Sequence, residues 1–198
     1  MILASRSPRR LELLRGIGIE PRVLPAEVDE SPLPGEAPGE LVMRLAESKG
    51  RRVARRLDAR RSPAVVLAAD TAVVLDRQAL GKPRNDEDAW RMLRALSGRD
   101  HDVLTGMFLY RSDDERSVLV VDSTLVRFRS LDEATIRSYV ATGEPCGKAG
   151  SYAIQGLGHR LIDRIEGSWS NVVGLPVELL CTCLRDLAID AGQTRRPG

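Results

Sequence analysis

The strongest constraint on the fold is a continuous apolar run that ends in an acid, AVVLAAD, at residues 64–70. A run of this length without alternating polar residues is typical of a strand that is buried within a sheet. The next residues, TAVVLD, either extend this strand or pair back against it. Predicted helices occur on both sides of the run in the chain, and a polar turn, SDDER, joins two later apolar stretches into a hairpin. The sequence therefore predicts an α/β protein with a mixed, twisted sheet flanked by helices.

Capping residues mark the start of several predicted helices. Ser7 and Pro8 predict the N-cap and first position of a helix over LELLRGIG, after a short strand at residues 2–4. Asn85 is a predicted N-cap after the loop DRQALGKPRNDED, and Ser130 with Glu133 forms a capping-box pattern before EATIRSYVATG. A helix at about 39–58, a strand in RLIDRIEG and a last helix from about residue 176 complete the pattern, with no linker that separates domains. We expect one domain over residues 1–198.

Composition narrows the class of protein. The chain has 198 residues, 42% hydrophobic and 29% charged, and its formal net charge is only +2. These values are typical of globular proteins and argue against a nucleic-acid binder, which is usually more basic. We interpret the arginine clusters at 50–56 and 59–61 as solvated faces, and TRRPG at 194–198 as a frayed tail.

The sequence also predicts the compartment. No apolar run approaches 18 residues, so we expect neither a transmembrane helix nor a membrane partner, and the apolar start is too short for a signal peptide. The cysteines are Cys146, Cys181 and Cys183, an odd number without metal-site spacing. We therefore expect a reduced, cytoplasmic protein.

The use of lysine is uneven. Of 30 basic residues, all but Lys49, Lys82 and Lys148 are arginines. A compact ammonium and a planar guanidinium are not interchangeable where a point charge must meet one phosphate oxygen or fit a tight pocket. The three lysines are either functional or survivors by chance.

The stretch SRSPRR, residues 5–10, precedes the first helix and combines free backbone N–H groups, a positive dipole end and three arginines. Such an arrangement binds phosphate. The alternative is a solvated helix start with incidental arginines. No Walker motif is present, and no glycine-rich dinucleotide motif lies between a strand and a helix. His101 and His159 are too few for a histidine-based metal cluster, and we interpret both as structural or surface residues.

Carboxylates supply the remaining candidates. Asp70 is predicted at the end of a buried strand, where sheet proteins commonly bind ligands. Asp29 and Glu30 lie on the loop after the second predicted strand, a short one within PRVLPAEVD at residues 21–29. Two or three carboxylates together with substrate phosphates form the usual oxygen set for Mg²⁺.

Eight segments occur in the order found in the Maf family of nucleoside triphosphate pyrophosphatases, which the chain resembles from about Leu3 to Pro176. The resemblance implies a fold like that of inosine triphosphate pyrophosphatase, with two lobes around a deep cleft and usually a homodimer. It also implies hydrolysis of nucleoside triphosphates to the monophosphate and pyrophosphate with a divalent cation, Mg²⁺ or Mn²⁺. The segments are LASRSPRRLELL, DES, RLAESK, AADT, GKPRN, MLRALSGRDHDVLTG, GKAGSYAIQG and NVVGLP.

The resemblance also implies residue roles. Asp70 matches the proton acceptor and, with Glu30, a metal ligand, while Lys49 and Lys82 match the family's lysines of the catalytic site. The substrate-binding matches are Ser5, Arg9, Arg10, Thr71 and Gln155.

Three of these matches mark the branch that acts on dTTP and UTP, namely Arg9, Thr71 and Gln155. A glutamine amide supplies one donor and one acceptor, which suits the O4 and N3–H edge of a pyrimidine. One departure is Gly147, where many members have an aspartate, and it leaves the role of Lys148 open. Two alternatives also stay open: a pyrophosphatase for 7-methyl-GTP or a modified nucleotide, and a non-catalytic regulator of septum formation.

Overall fold

The computed structural model describes residues 1–57 and 63–187. In these two ranges the chain forms seven strands, six α-helices and two short 3₁₀-helices, Ala149–Ser151 and Gly156–Leu161. The strands are β1 (Ile2–Leu3), β2 (Arg22–Val23), β3 (Val65–Leu75), β4 (Gln78–Leu80), β5 (Asp100–Arg111), β6 (Ser117–Phe128) and β7 (Ile162–Glu166). The helices are α1 (Pro8–Gly16), α2 (Pro38–Ala54), α3 (Asp86–Leu96), α4 (Glu133–Val140), α5 (Trp169–Val173) and α6 (Val177–Asp186).

All seven strands belong to one sheet with the order β2-β1-β3-β5-β6-β7, and β4 pairs with β3 outside this path. β1 is parallel to β2 and β3, whereas β3, β5, β6 and β7 pair antiparallel. The predicted α/β class and mixed sheet are confirmed. Within the described ranges, no helix has the length and apolarity needed to cross a bilayer.

Local signals placed two helix starts correctly. Ser7 caps α1 by accepting a hydrogen bond from the backbone N–H of Arg10, with Pro8 in the first turn. Asn85 caps α3 by accepting from the N–H of Asp88 at 2.9 Å. Both caps satisfy helix donors that have no partner within the helix.

The predicted cap of α4 is wrong. Asp132, not Ser130, is the N-cap, and its Oδ1 accepts from the N–H of Thr135 at 2.7 Å. The Glu133 side chain does not reach back to a cap, because it accepts a hydrogen bond from Nε1 of Trp90 on α3. A tertiary contact has replaced the local one.

The predicted loop after β3 is also partly wrong, because its residues Gln78–Leu80 form β4 and pair back against β3. Asp76 and Arg77 make the two-residue turn with φ values of 50° and 64°. Positive φ at both turn positions matches the twist of a tight hairpin.

The helix predicted at 39–58 is observed as α2, but it ends earlier than predicted, at Ala54. Residue 58 lies outside the described residues. The arginines that follow its middle, at positions 51, 52, 55 and 56, are exposed, as predicted for a solvated face. The basic stretches 59–61 and 194–198 lie outside the described residues.

α2 packs unusually close to one face of the sheet. A Cβ on Gly50 would lie 2.2 Å from Cδ1 of Phe108 on β5. A Cβ on Gly106 of β5 would lie 2.4 Å from the carbonyl oxygen of Val42 on α2. These two glycines allow the helix to approach the sheet, and Lys49 is therefore held close to β3.

The opposite face of the sheet carries two separate apolar clusters. Leu67 and Ala69 of β3 pack with residues of α1 and α6, whereas Val73 and Leu75 pack with residues of α3 and α4. Thr71 lies between the two sets on the same face of β3. This division matches the predicted two lobes, and a cleft opens between them.

Candidate active site

The cleft has a volume of about 780 Å³. All nine residues that the sequence predicted for the site line it, although they come from six separate stretches of chain. They are Ser5, Arg9, Arg10, Glu30, Lys49, Asp70, Thr71, Lys82 and Gln155.

The cleft lies beside a gap at the edge of β3. β1 pairs with Val66 and Leu67, and β4 pairs with Val73–Leu75. Between these contacts, this edge of β3 pairs with no strand in the described part of the chain. Side chains from both faces of the strand reach the cleft through the gap, with Asp70 on one face and Thr71 on the other.

The prediction that Asp70 ends its strand is wrong. Asp70 is the sixth of the 11 residues of β3, which continues through TAVVLD to Leu75. Asp70 and Thr71 do not interrupt the strand, because their side chains line the cleft beside this gap. The same gap gives Asp70 the access to ligands that the sequence had inferred from a strand end.

Asp70, Lys49 and Glu30 form a compact cluster of charges. Nζ of Lys49 lies 2.6 Å from Oδ1 of Asp70 and 2.6 Å from Oε1 of Glu30. Only 10% of the Lys49 side chain and 16% of the Asp70 side chain are exposed. One buried ammonium therefore holds two carboxylates together at the edge of β3.

Lys82 extends this cluster towards solvent. Its Nζ lies 3.5 Å from Oε2 of Glu30, and 62% of its side chain is exposed. Partial burial alone would raise the pKa of Glu30, but the ion pairs with Lys49 and Lys82 lower this pKa overall. Glu30 is thus kept ionised as the bridge between the two lysines.

Arg10 forms hydrogen bonds to three parts of the cleft wall. Its Nε donates to the carbonyl of Gly174 at 2.7 Å, Nη1 to Oγ of Ser5 at 3.1 Å and Nη2 to Oγ1 of Thr71 at 3.0 Å. Burial lowers the pKa of this guanidinium, and the charge of Asp70 opposes that shift. Since Arg10 uses three of its five N–H groups on protein oxygens, it retains donors for a ligand.

Arg9 differs from Arg10 because its buried Nε has no hydrogen-bond partner in the described structure. Buried polar groups are rarely left unpaired, so an orphaned donor in a cleft points to a ligand that completes it. Burial and, after it, the charge of Arg9 lower the pKa of Lys148, and Glu144 opposes this shift. Arg9 and Lys148 thus form a second cationic region of the cleft.

All three lysines of the chain line this cleft, which favours a functional origin over chance survival. Together with Arg6, Arg9 and Arg10, they make six cationic side chains among the lining residues, against four carboxylates. The cleft has an excess of positive charge and suits a polyanionic ligand.

The sequence did not predict the hydrogen-bond network that positions Thr71. Oγ1 of Thr71 lies 2.9 Å from Oγ1 of Thr105, which donates to the carbonyl of Asn171 at 3.2 Å. The buried Asn171 side chain donates from Nδ2 to the carbonyl of Val103 and to Oγ1 of Thr124. A lone asparagine within an apolar stretch was the available signal for this network.

The two histidines have no part in the cleft lining. His101 is buried against Phe128 and Tyr152, and its Nε2 lies 2.7 Å from the Tyr152 hydroxyl. His159 is exposed. Both placements confirm the prediction that they are structural or surface residues.

Comparison with known proteins decides the family. The model of the family described as Maf-like protein matches residues 1–187. The chain belongs to the Maf family. It is 47% identical to a dTTP/UTP pyrophosphatase of Geobacter sp. (strain M21) over 93% of this chain and 94% of that protein. It is 50% identical to the dTTP/UTP pyrophosphatase of Anaeromyxobacter dehalogenans (strain 2CP-C), over 93% and 92% of the two chains.

A third relative, a dTTP/UTP pyrophosphatase of Anaeromyxobacter sp. (strain Fw109-5), is 51% identical over 93% of this chain and 88% of that protein. The family-model match spans the stretch of chain that holds every residue lining the cleft. The family assigned from eight sequence segments is thereby confirmed.

Proposed function

We propose that this Maf protein hydrolyses dTTP and UTP to the nucleoside monophosphate and pyrophosphate. The observation that carries the proposal is the orphaned Nε of Arg9 in a cationic cleft that also holds the buried Asp70–Lys49 pair. A triphosphate is the polyanion that would pair Arg9, while Asp70 faces the site of attack. The choice of dTTP and UTP as substrates follows the names of the relatives, which are dTTP/UTP pyrophosphatases.

Two groups of cationic side chains bind the triphosphate. Arg9 and the remaining donors of Arg10 bind phosphate oxygens near the start of α1, where the helix dipole also favours negative charge. Lys49 and Lys82 lie around Glu30. Charge that develops on the leaving pyrophosphate is stabilised by these preorganised cations.

Asp70 accepts the proton of the water that attacks the α-phosphorus. Oδ1 is engaged by Lys49, whereas Oδ2 accepts no hydrogen bond within the described ranges and is open to the cleft. The Lys49 ion pair fixes the carboxylate in one orientation, so that the free oxygen can hold a water in line for attack. General-base catalysis of this kind contributes roughly 100-fold or more.

A divalent cation fits the donors present. Glu30 and Asp70 offer carboxylate oxygens, the ligands that Mg²⁺ and Mn²⁺ prefer, and phosphate oxygens of the substrate would complete the set. Among the described residues no group of three or more His, Cys, Asp or Glu is arranged to hold a metal. When bound, the cation supplies further stabilisation of negative charge.

Gln155 is proposed to select the base. It lines the cleft, and within the described ranges its side-chain amide makes no hydrogen bond to protein. A free amide can donate to O4 of uracil or thymine and accept from N3–H. Thr71 acts with it by fixing Arg10 at the centre of the cleft.

We place the enzyme in the cytoplasm, in support of which the three cysteines Cys146, Cys181 and Cys183 are all free thiols. Disulfides are rare in reducing compartments. Cellular fractionation of the tagged protein is the direct test.

The proposed function is tested by pyrophosphate release from dTTP, UTP, the other canonical triphosphates and 7-methyl-GTP, with Mg²⁺ or Mn²⁺. Reactions in ¹⁸O-water locate the bond that is attacked. We expect dTTP and UTP to be preferred and the label to enter the monophosphate. A preference for 7-methyl-GTP, or no turnover of any triphosphate, would contradict the proposal.

A further inference from the structure

Glu144 lies just after α4 and does not line the cleft, yet its carboxylate organises a segment that does. Oε2 accepts from the N–H of Leu157 at 2.9 Å, and Oε1 accepts from the N–H of Gly158 at 3.0 Å. Oε1 also accepts from the hydroxyl of Tyr139 at 3.0 Å. One side chain therefore binds two consecutive amides directly beyond Gln155.

The other end of the segment is fixed by the same residues. The Tyr139 hydroxyl, held by Glu144, accepts from the N–H of Ala153 at 3.4 Å. Nζ of Lys148 donates to the carbonyl oxygen of Glu144 at 2.5 Å. Gln155 thus lies between attachment points at 153 and at 157–158, and both depend on the Glu144 carboxylate.

Close packing restricts the conformation of this turn at two glycines. Gly156 has φ of +71°, and a Cβ there would lie 2.8 Å from Oε2 of Glu144. A Cβ on Gly158 would lie 2.1 Å from the carbonyl oxygen of Ala153. The two glycines let the backbone fold tightly over the carboxylate, so the turn is shaped around Glu144.

The carboxylate is ionised in this environment. Burial alone would raise the pKa of Glu144, but the hydrogen bonds from Leu157, Gly158 and Tyr139 lower it overall. Hydrogen bonds to a charged acceptor are stronger than neutral ones. Gln155 has no side-chain bond of its own to protein in the described part of the chain, so its position follows from this backbone anchor.

We propose that Glu144 is a positioning residue for base recognition, which holds the 153–158 turn so that the Gln155 amide faces the nucleobase. This inference rests on the proposed function, in which Gln155 contacts the base. It predicts an effect on binding of the pyrimidine, and little effect on the Asp70–Lys49 pair or on the phosphate contacts.

The test is Glu144→Gln, which keeps the size but has only one oxygen to accept from both amides. We expect KM for UTP to rise about 10-fold, as for the loss of one hydrogen bond to a charged acceptor, with kcat within about 3-fold of wild type. Hydrogen exchange of the Leu157 and Gly158 amides should accelerate in the same variant. A general loss of structure would instead lower kcat and accelerate exchange across the sheet.

A double-variant cycle with Gln155→Ala tests whether Glu144 acts by positioning Gln155 or by a general effect on the structure. If Glu144 acts through Gln155, adding Glu144→Gln to Gln155→Ala should change KM by less than about 2-fold, since coupled residues are not additive. Asp132→Ala is the matched control, because it removes a cap bond at the start of α4 and Asp132 does not line the cleft. We expect its KM for UTP to equal that of wild type.

The possible outcomes distinguish a failure of this inference from a failure of the proposed function on which it rests. If wild type releases pyrophosphate from UTP and Gln155→Ala raises KM, but Glu144→Gln changes neither KM nor amide exchange, the positioning role is overturned and the function stands. Full additivity in the double variant also overturns it. If wild type does not turn over UTP, or Gln155→Ala leaves KM unchanged, the proposed base contact fails and the inference fails with it.

Discussion

Nζ of Lys49 on α2 lies 2.6 Å from Oδ1 of Asp70 in the middle of β3, and both side chains are largely buried. The contact depends on the close approach of α2 to the sheet, which Gly50 permits beside Phe108. It joins the helix to the one stretch of strand edge that opens into the cleft. The fold thereby fixes an acid and a cation together where a phosphate group can reach both.

The two lysines beside Glu30 should respond differently to replacement by arginine. Lys49 is 10% exposed and its ammonium lies 2.6 Å from both Asp70 and Glu30, so a larger guanidinium would displace these carboxylates. Lys82 is 62% exposed. For Lys49→Arg we expect kcat/KM to fall about 100-fold, because a displacement of about 1 Å at the reacting groups has this cost. For Lys82→Arg we expect a smaller loss of about 5-fold, the upper value for an exposed ion pair, because the positive charge near the pyrophosphate is kept and the exposed side chain can adjust. Equal losses in steady-state assays would argue against the difference in packing.

Gln155→Glu should impair the use of UTP and dTTP. The carboxylate lacks the amide donor for O4 and adds a negative charge beside the base. We expect kcat/KM for UTP to fall at least about 10-fold, mostly through KM, as for an unpaired group facing a polar edge. Gln155→Glu with wild-type discrimination between UTP and 7-methyl-GTP would remove Gln155 from base selection.

Stability should fall between pH 6.5 and pH 4 because of His101. Burial lowers the pKa of this histidine to about 4, and the charge of Asp100 opposes the shift. In this range the unfolded chain binds a proton that the folded protein does not, so stability is complete above pH 6.5 and is lost as the pH falls. The full difference is about 3 kcal/mol.

Urea denaturation of wild type and His101→Gln at several pH values between 7 and 4.5 measures this contribution. Carboxylates titrate in both proteins, so the difference between the two curves isolates the histidine. We expect a shallower pH dependence in the variant. Parallel curves would mean that His101 does not titrate with unfolding.

Local chemistry made much of the fold predictable. Ser7, Pro8 and Asn85 determine helix starts through bonds that span three residues, and apolar runs of the right length predict strands. The site residues were predictable because unusual residue types mark them, above all three lysines among 30 basic residues. The structure brings all of these predicted site residues into one cleft, while the roles assigned to them, the divalent cation and the homodimer stay predictions.

What the sequence did not predict depends on contacts between distant residues. Asp70 was placed at a strand end because nothing local shows that β1 and β4 leave a gap beside it. Ser130 matched a capping pattern, but Trp90 on another helix engages Glu133. Glu144 carries no motif at all, since the amides that it binds lie 13 and 14 residues further along the chain.

A pyrophosphate-release assay on wild type and Asp70→Asn, beside calorimetric binding of UTP, tests most directly whether this cleft hydrolyses the nucleotide with Asp70 as the base. Asparagine keeps the size of the side chain but loses the charge and the basicity. We expect kcat to fall roughly 100-fold or more, with UTP still bound through the arginines and lysines. A variant that turns over UTP within a few-fold of wild type would contradict the assignment of Asp70 as the proton acceptor.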